Sequence, residues 1–339
     1  MKIALPTFRS YAIPAAILAV GFAVLPVSGE SIARGWLYGF VLVSMAPIGC
    51  LTLLLVHGIT GGRWGKAFAP CLVPTARTMP MLFLALLPIL LFRHLIYPWP
   101  DPGVPALVLH YYLFPAFFDA RSLLAIAVWS FMVWQRAWET PLAAGLGLTA
   151  HLMLMTFIPA DWVLTLEPGT TSAAFGMSFG IEQIFAALAL AAVLTPQGDD
   201  PRANRDLAGM LLSALLGTVY FVYIQFVVTW YGDIPEKVRW YAIRSASAGW
   251  VTVAVIAFLL AAAIPFLLVL SRLVRQSPAA LRVVGVSVLT GIALHIAWLT
   301  VPVLGIAMLL PAVLAALAIA LVIAYASRQL VEGDCHGNA

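Results

Sequence analysis

The stretch "WLYGFVLVSMAPIGCLTLLLVH", Trp36 to His57, contains no Asp, Glu, Lys or Arg and is long enough to cross a bilayer. Crossing the hydrocarbon core needs about 20 apolar residues in a helix. The whole chain has the same character, with 63% hydrophobic and 9% charged residues in 339 and a mean hydropathy of +1.01. A water-soluble domain of this size needs more charge on its surface. The sequence therefore predicts an integral membrane protein.

Counting apolar runs between polar breaks predicts ten spans and an all-α fold. The predicted spans are 11–28, 36–57, 79–97, 113–135, 141–159, 173–194, 207–230, 249–271, 283–300 and 304–326. The first follows Lys2 and Arg9 like a signal peptide, but it lacks an AxA-type exit and further spans follow, which favours a retained helix. We expect one polytopic membrane domain over 1–330 and a short disordered cytoplasmic tail over 331–339.

The distribution of charge predicts the orientation. With the N-terminus inside, twelve of the 18 basic residues fall on the inner side and six on the outer side. Because Lys and Arg collect in cytoplasmic loops, this ratio favours both termini in the cytoplasm. The inner segment "GITGGRWGKAFAPCLVPTART", residues 58–78, is basic and rich in Gly and Pro, and we expect it to lie as a loop at the headgroups. The net charge of +4 is then a matter of topology and does not indicate a nucleic-acid partner.

Several classes of chemistry lack their motifs. Cys50, Cys71 and Cys335 are far apart and form no CxxC spacing, which argues against a disulfide framework, covalent haem or an iron–sulfur cluster. There is no phosphate-binding loop and no metalloprotease helix, and we expect no metal site. The histidines do not favour b-type haem either, because His151 and His295, those within spans, lie at different predicted depths.

Two ionisable residues lie deep within predicted spans. Glu182, in "SAAFGMSFGIEQIFAALAL", is near the middle of its span, and a carboxylate there needs a partner or a function. His151 is near the middle of the preceding span. A His/Glu pair across this hairpin would suit proton transfer, so both are proton-handling candidates. The alternative is structural, with each side chain hydrogen-bonded to a neighbouring helix.

A second group of polar residues gathers toward the predicted outer face. A quinone needs an apolar slot with a few donors and acceptors, near an interface where protons can leave. The alternative for the charged members of this group is ordinary snorkelling and interhelical ion pairing. The quinone-side candidates are Arg93, His94, Asp119, Arg121, Asp161, Gln225 and His295.

The segment "QFVVTWYGDIPEKVRWY", Gln225 to Tyr241, is predicted to be an outer loop that docks a partner. Its aromatic residues are of the kind that settle at the interface, and Pro235 is expected to end the preceding helix. Its charges, with that of Arg244, would face a partner above the membrane. The predicted docking residues are Asp233, Pro235, Glu236, Lys237, Arg239, Trp240 and Tyr241.

Two blocks, "DWVLTLEPGTTSAAFGMSFGIEQ" and "RDLAGMLLSALLGTVYFVYIQFVVTWYGDIPEKVRWY", resemble the matching regions of quinone-binding subunit 2 of alternative complex III. That complex is a bacterial quinol:cytochrome c oxidoreductase. The resemblance extends over nearly the whole chain and includes "GGRWGKAF" and "YLFPAFFDARSLLAIAVW". It implies ten helices in two four-helix bundles with peripheral helices, in a bacterial inner membrane.

The resemblance also implies a function and partners. The chain would be a membrane subunit that supports quinol oxidation and proton movement, beside a larger quinone-site subunit and periplasmic iron–sulfur and haem c subunits. The chain itself would bind no covalent cofactor, and quinol is the candidate ligand. Two alternatives stay open: a secondary transporter with a midplane site at Glu182, and a non-catalytic anchor for periplasmic redox subunits.

Overall fold

The computed structural model describes residues 28–99, 112–167, 170, 172–194, 201–232 and 235–336. These residues are almost entirely helical and include no strand. The predicted first span, 11–28, lies outside the described residues except for Ser28, and so does Asp233 of the predicted docking loop. Within the described residues the all-α prediction is confirmed.

Fourteen α-helices follow one another along the described residues. Short 3₁₀ turns at Met79–Met81, Ala137–Glu139, Leu164–Leu166 and Ile306–Met308 and a π-helix at Leu259–Ala263 connect some of them. The helices are α1 Gly29–Thr60, α2 Trp64–Arg77, α3 Leu82–Leu91, α4 Arg93–Ile96, α5 Pro115–Trp134, α6 Pro141–Trp162, α7 Phe175–Leu194, α8 Pro201–Tyr231, α9 Pro235–Arg244, α10 Ala248–Phe258, α11 Ile264–Leu270, α12 Arg272–Gln276, α13 Pro278–Leu304 and α14 Leu309–His336.

Nine helical segments of the described chain are long and apolar enough to cross a membrane. They correspond in order to the nine predicted spans from 36–57 onward, which confirms a multi-pass membrane protein. The segments are Gly29–Thr60, Trp64–Leu91, Pro115–Trp134, Pro141–Leu166, Phe175–Leu194, Arg202–Tyr231, Ala248–Leu270, Pro278–Leu304 and Ile306–Leu330.

Helix α1 is the centre of the packing. It contacts α2, α6, α7 and α14, and most of its apolar window is buried. Small residues permit this close approach: a Cβ on Gly39 would lie 2.7 Å from the backbone nitrogen of Ala316, and a Cβ on Gly49 would overlap the carbonyl oxygen of Gln183. Small residues at helix interfaces allow backbones to approach closely where the solvent is lipid.

The contacts group the spans in two sets of four. One set is α1, the α2–α3 segment, α5 and α6; the other is α7, α8, the α10–α11 segment and α13. Contacts of α1 and α6 with α7 join the two sets, and α14 lies against α1.

The π-helix Leu259–Ala263 interrupts the seventh of these nine segments. Gly291 of α13 lies against it, since a Cβ there would be 2.5 Å from the backbone nitrogen of Ala261. The Ser287 hydroxyl donates to the Leu260 carbonyl at 2.8 Å and so satisfies backbone inside the π-helix. π-Helical turns are frequent at functional sites, and Ala261 and Ala262 of this one line a cavity.

Three segments differ from the predictions. Residues 64–77 form helix α2 and continue into the span, so the predicted headgroup loop over 58–78 is wrong for most of its length. The predicted docking loop contains helix α9, which begins at Pro235, because proline fits the first turn of a helix. Helix α14 extends to His336, into the segment expected to be a disordered tail.

Candidate functional site

A cavity of about 560 Å³ lies among α7, α8, α9, α10 and α13. Its walls are mainly aromatic and aliphatic, with the side chains of Phe175, Phe185, Val219 and Ile292 among them. Tyr223 of α8 and Phe258 of α10 also line it, and they are 63% and 54% exposed on the helix surface. The cavity therefore opens sideways between α8 and α10, on the apolar surface of the candidate spans.

Glu182 and His295 meet at the wall of this cavity. The Nδ1 atom of His295 lies 2.7 Å from Oε1 of Glu182, and the side chains are 22% and 3% exposed. Glu182 is seven residues into α7, about 10 Å from its start at a rise of 1.5 Å per residue. The bond uses one carboxylate oxygen and one ring nitrogen, which leaves Glu182 Oε2 and His295 Nε2 for a ligand in the cavity.

The face of the His295 ring packs against a neighbouring aromatic side chain. It stacks on Trp298 with ring centroids 6.1 Å apart and planes 18° apart, and Trp298 Nε1 donates to the Arg244 carbonyl at 3.2 Å. Since Trp298 also lines the cavity, a flat ring entering it would find aromatic surface beside the Glu182–His295 pair. Aromatic rings favour such stacked or edge contacts.

A second buried ion pair lies near the same end of the bundle. Nη1 of Arg244 donates to Glu167 Oε2 at 2.9 Å and to the Trp240 carbonyl at 2.8 Å, and its guanidinium lies 3.3 Å from the centre of the Trp240 ring. Nε and Nη2 donate to the Leu299 carbonyl. Burial lowers the pKa of the Arg244 guanidinium, while the hydrogen bond to Glu167 opposes that shift. This cluster joins the chain after α6 to α9 and α13.

The predicted pairing of His151 with Glu182 is wrong. Trp129 Nε1, which can only donate, bonds to His151 Nδ1 at 3.2 Å, so Nδ1 accepts and Nε2 of the neutral ring carries the proton. Nε2 lies 3.2 Å from the Thr52 hydroxyl, which donates to the Ile48 carbonyl. Buried His151 is thus fully bonded among α1, α5 and α6, away from the cavity.

Four of the quinone-side candidates pair with one another instead of lining the cavity. Arg121 binds Asp161 through two hydrogen bonds of 2.7 and 2.9 Å, and Arg93 Nη1 lies 2.9 Å from Asp119 Oδ2. These pairs join α5 to α6 and α4 to α5. The four residues therefore follow the alternative of interhelical ion pairing. His94 is exposed on α4.

The structure brings two quinone-side candidates, Gln225 and His295, to the cavity wall. From the predicted docking loop, Trp240 and Tyr241 also line the cavity, and Trp240 is 7% exposed. Trp240 therefore does not face a partner above the membrane, because it packs over Phe175 and under Arg244. Arg239, with its side chain 74% exposed, and partly buried Lys237 remain at the surface of α9.

Sequence reasoning missed two features of this site. Arg244 was expected to face a partner, whereas it is fully buried. Its spacing of four residues from Trp240 places both on one face of α9, a local signal that could have found the contact. The partnership of Glu182 with His295 spans 113 residues and had no local signal.

The described residues contain no group of three or more His, Cys, Asp or Glu side chains that could hold a metal ion. A scan against models of known protein families and a search of curated proteins found no match for this chain. The fold and the cavity define a class of protein: a multi-pass α-helical membrane protein with an apolar cavity that opens sideways among the described helices.

Proposed function

We propose that this chain is an integral-membrane subunit of a bacterial respiratory complex and that it binds a quinol in the cavity among α7, α8, α10 and α13. The observation that carries the proposal is the Glu182–His295 pair at the wall of an apolar, laterally open cavity. A carboxylate at this depth costs a few kcal/mol on insertion scales, and such residues mark ligand and proton sites.

The chemistry of a quinol matches the two parts of this cavity. Its ring and isoprenoid tail suit aromatic and aliphatic walls, and it can enter from lipid between Tyr223 and Phe258. Its hydroxyl group would donate to Glu182 Oε2 or His295 Nε2. Oxidation of the quinol to quinone releases two electrons and two protons. The electrons would pass to an iron–sulfur or haem centre of a partner subunit, and the pair would accept the protons in succession.

The resemblance to alternative complex III supports the same assignment. Its two sequence blocks meet near the cavity: Gln225, Trp240 and Tyr241 of the second block line it, and Glu167 of the first block binds Arg244 beside it. The proposal therefore includes the bacterial inner membrane, a larger quinone-site subunit, and periplasmic iron–sulfur and haem c subunits as partners.

The lateral opening favours this proposal over a secondary transporter. A charged solute needs several charged groups in its site, whereas this lining has one carboxylate and one imidazole, beside the neutral polar residues Ser178, Thr218, Tyr223, Gln225 and Tyr241. An anchor without chemistry would not need an intramembrane carboxylate directed at a cavity, and helix packing alone would fill this space.

Binding of a short-chain ubiquinol or menaquinol analogue to the purified protein in lipid nanodiscs tests the proposal. Trp240 and Trp298 line the cavity, so quenching of tryptophan fluorescence reports occupancy. We expect Glu182→Gln and His295→Phe to weaken binding about tenfold or more, since a hydrogen bond to a charged group contributes about 1.5–3 kcal/mol. Ala254→Phe, which places a phenyl ring at the cavity wall and so narrows the cavity, should also weaken binding.

His94→Phe is the matched control, because His94 is an exposed histidine outside the cavity, and it should bind like the wild type. Absence of binding to the wild-type protein would reject the proposal. Equal binding by the wild type, Glu182→Gln and Ala254→Phe would place the quinol elsewhere and reject the site.

A further inference from the structure

A second, smaller cavity of about 30 Å³ adjoins the first on the side of Lys237. Gln225, Trp240 and Tyr241 line both cavities and so form the wall between them. The end of the bundle that carries Lys237 is here named the Lys237 end. The distribution of Lys and Arg along the sequence predicts that this end is the outer one.

The small cavity has a more polar lining than the large one. Besides Gln225, its lining residues include Thr170, Ser172, Thr229 and Lys237. A water molecule needs roughly 10–15 Å³ and two to four polar partners. The small cavity therefore has the size and the lining for one or two waters.

Two hydrogen bonds hold polar groups of the small cavity on Gln225. Ser172 Oγ donates to Gln225 Oε1 at 3.3 Å, and the Thr229 hydroxyl, one turn further along α8, donates to the backbone carbonyl of Gln225 at 2.9 Å. Lys237 is only partly buried, and nearby Arg239 is 74% exposed. The lining of the small cavity thus extends from the wall of the large cavity to the protein surface.

We infer that the small cavity holds water and carries protons between the Glu182–His295 pair and the aqueous phase at the Lys237 end. Hydroxyl groups and water both donate and accept, which proton transfer requires, whereas the aliphatic and aromatic walls elsewhere do not. Thr229 and Gln225 are positioning residues in this route. The source of the protons rests on the proposed quinol function, but the route concerns only exchange between Glu182 and water.

Hydrogen–deuterium exchange at the Glu182 carboxyl group tests the route without a quinol. The protein in nanodiscs, at a pH at which the infrared carboxyl band of Glu182 is observed, is mixed rapidly with D₂O. The infrared carboxyl band, assigned by its loss in Glu182→Gln, is followed in time. Thr229→Leu removes the hydroxyl and fills the small cavity, and we expect it to slow exchange at least tenfold. Thr229→Ser keeps the hydroxyl and should exchange at the wild-type rate.

Thr252→Leu is the matched control, because Thr252 also donates to the carbonyl four residues earlier but is exposed on α10. It should leave exchange unchanged. If Thr229→Leu fails to fold, Thr229→Val, of nearly the same volume, replaces it and should still slow exchange. If Thr229→Leu and Thr229→Val both exchanged at the wild-type rate, the proposed route would be wrong, even if the protein binds the quinol. Slowed exchange in a protein that binds no quinol would uphold the route and reject the proposed function.

Discussion

Replacing Arg244 by methionine should strongly destabilise the protein. The guanidinium is fully buried and donates to Glu167, to the Trp240 carbonyl and twice to the Leu299 carbonyl. Methionine fills similar space but supplies no donor. Glu167, 5% exposed, would then keep a buried charge without this partner.

The expected loss is about 3–5 kcal/mol in the free energy of unfolding, the range measured when one member of a buried ion pair is removed. Arg239→Met is the matched control. Arg239 also approaches Glu167, at 3.9 Å, but its side chain is 74% exposed. Exposed pairs contribute about 0–1 kcal/mol, so this variant should be close to the wild type.

The two buried cysteines provide the assay. Cys50 and Cys71 are 0% and 5% exposed, so a dye that fluoresces on reacting with thiols reports unfolding as SDS is added to mixed micelles. Cys335 is replaced by serine in every variant. A loss below about 1 kcal/mol for Arg244→Met, or a loss equal to that of Arg239→Met, would refute the assigned role of the Arg244–Glu167 pair.

Three further substitutions test other contacts by the same assay. Asp161→Asn should cost about 3–5 kcal/mol, because it leaves Arg121 without its anion. Gly49→Ala should destabilise by about 1–3 kcal/mol, because its Cβ would overlap the Gln183 carbonyl oxygen and force α1 from α7. Burial and the charge on Asp161 raise the pKa of Tyr112 above 10. As pH rises, the unfolded chain therefore loses the Tyr112 proton before the folded protein does. The free energy of unfolding then falls as pH rises above about 10, and Tyr112→Phe should reduce that fall.

Each of these variants has a control in the same chain. Asp119→Asn changes a carboxylate that is 25% exposed and should cost less than Asp161→Asn. Gly145→Ala adds a Cβ in open space inside α6, so helix propensity should make it neutral or stabilising by up to about 1 kcal/mol. Tyr231 is 90% exposed, and Tyr231→Phe should leave the alkaline fall unchanged. Equal effects in a variant and its control would contradict the assigned contact.

The spans could be predicted from sequence because the length of an apolar run is a local property. Helix α7, Phe175–Leu194, agrees with the predicted span 173–194 within two residues. The segment Ala248–Leu270 agrees equally well with 249–271. In lipid, every backbone polar group must be bonded within its own segment, so a long apolar run has few alternatives to a helix.

Proline caused the local errors. Pro70 and Pro74 helped to predict a loop over 58–78, yet both lie inside α2. Helix α8 does end at Tyr231, before Pro235 as expected, but the prediction missed that Pro235 also begins α9. Inside a membrane helix, neighbouring groups form hydrogen bonds with the carbonyls that proline leaves free. At the first helical position proline costs nothing, because the N–H that it lacks would have no partner within the helix. A proline rule based on soluble proteins therefore predicts too many breaks here.

The partners of the polar residues could not be predicted, because they depend on which helices pack together. Glu182 was identified as a residue that needs a partner, and the hairpin geometry favoured His151 over His295. Gln183, which follows Glu182, packs against α1 at Gly49, so Glu182 faces away from α1 toward α13. No spacing along the chain fixes this rotation of α7, which follows from the close contact of α1 with α7.

The surroundings of Glu167 and Glu182, two of the buried carboxylates, separate a structural role from a functional one. Arg244 donates to Glu167 and to two backbone carbonyls, so this pair holds α9 in place and leaves few donors for a ligand. Glu182 and His295 share a single hydrogen bond at the wall of a cavity. A buried polar pair of that kind adds little net stability, because the desolvation of its groups offsets their attraction. We therefore keep a ligand that exchanges protons with Glu182 as the proposal for why a carboxylate lies at this cavity wall within a span.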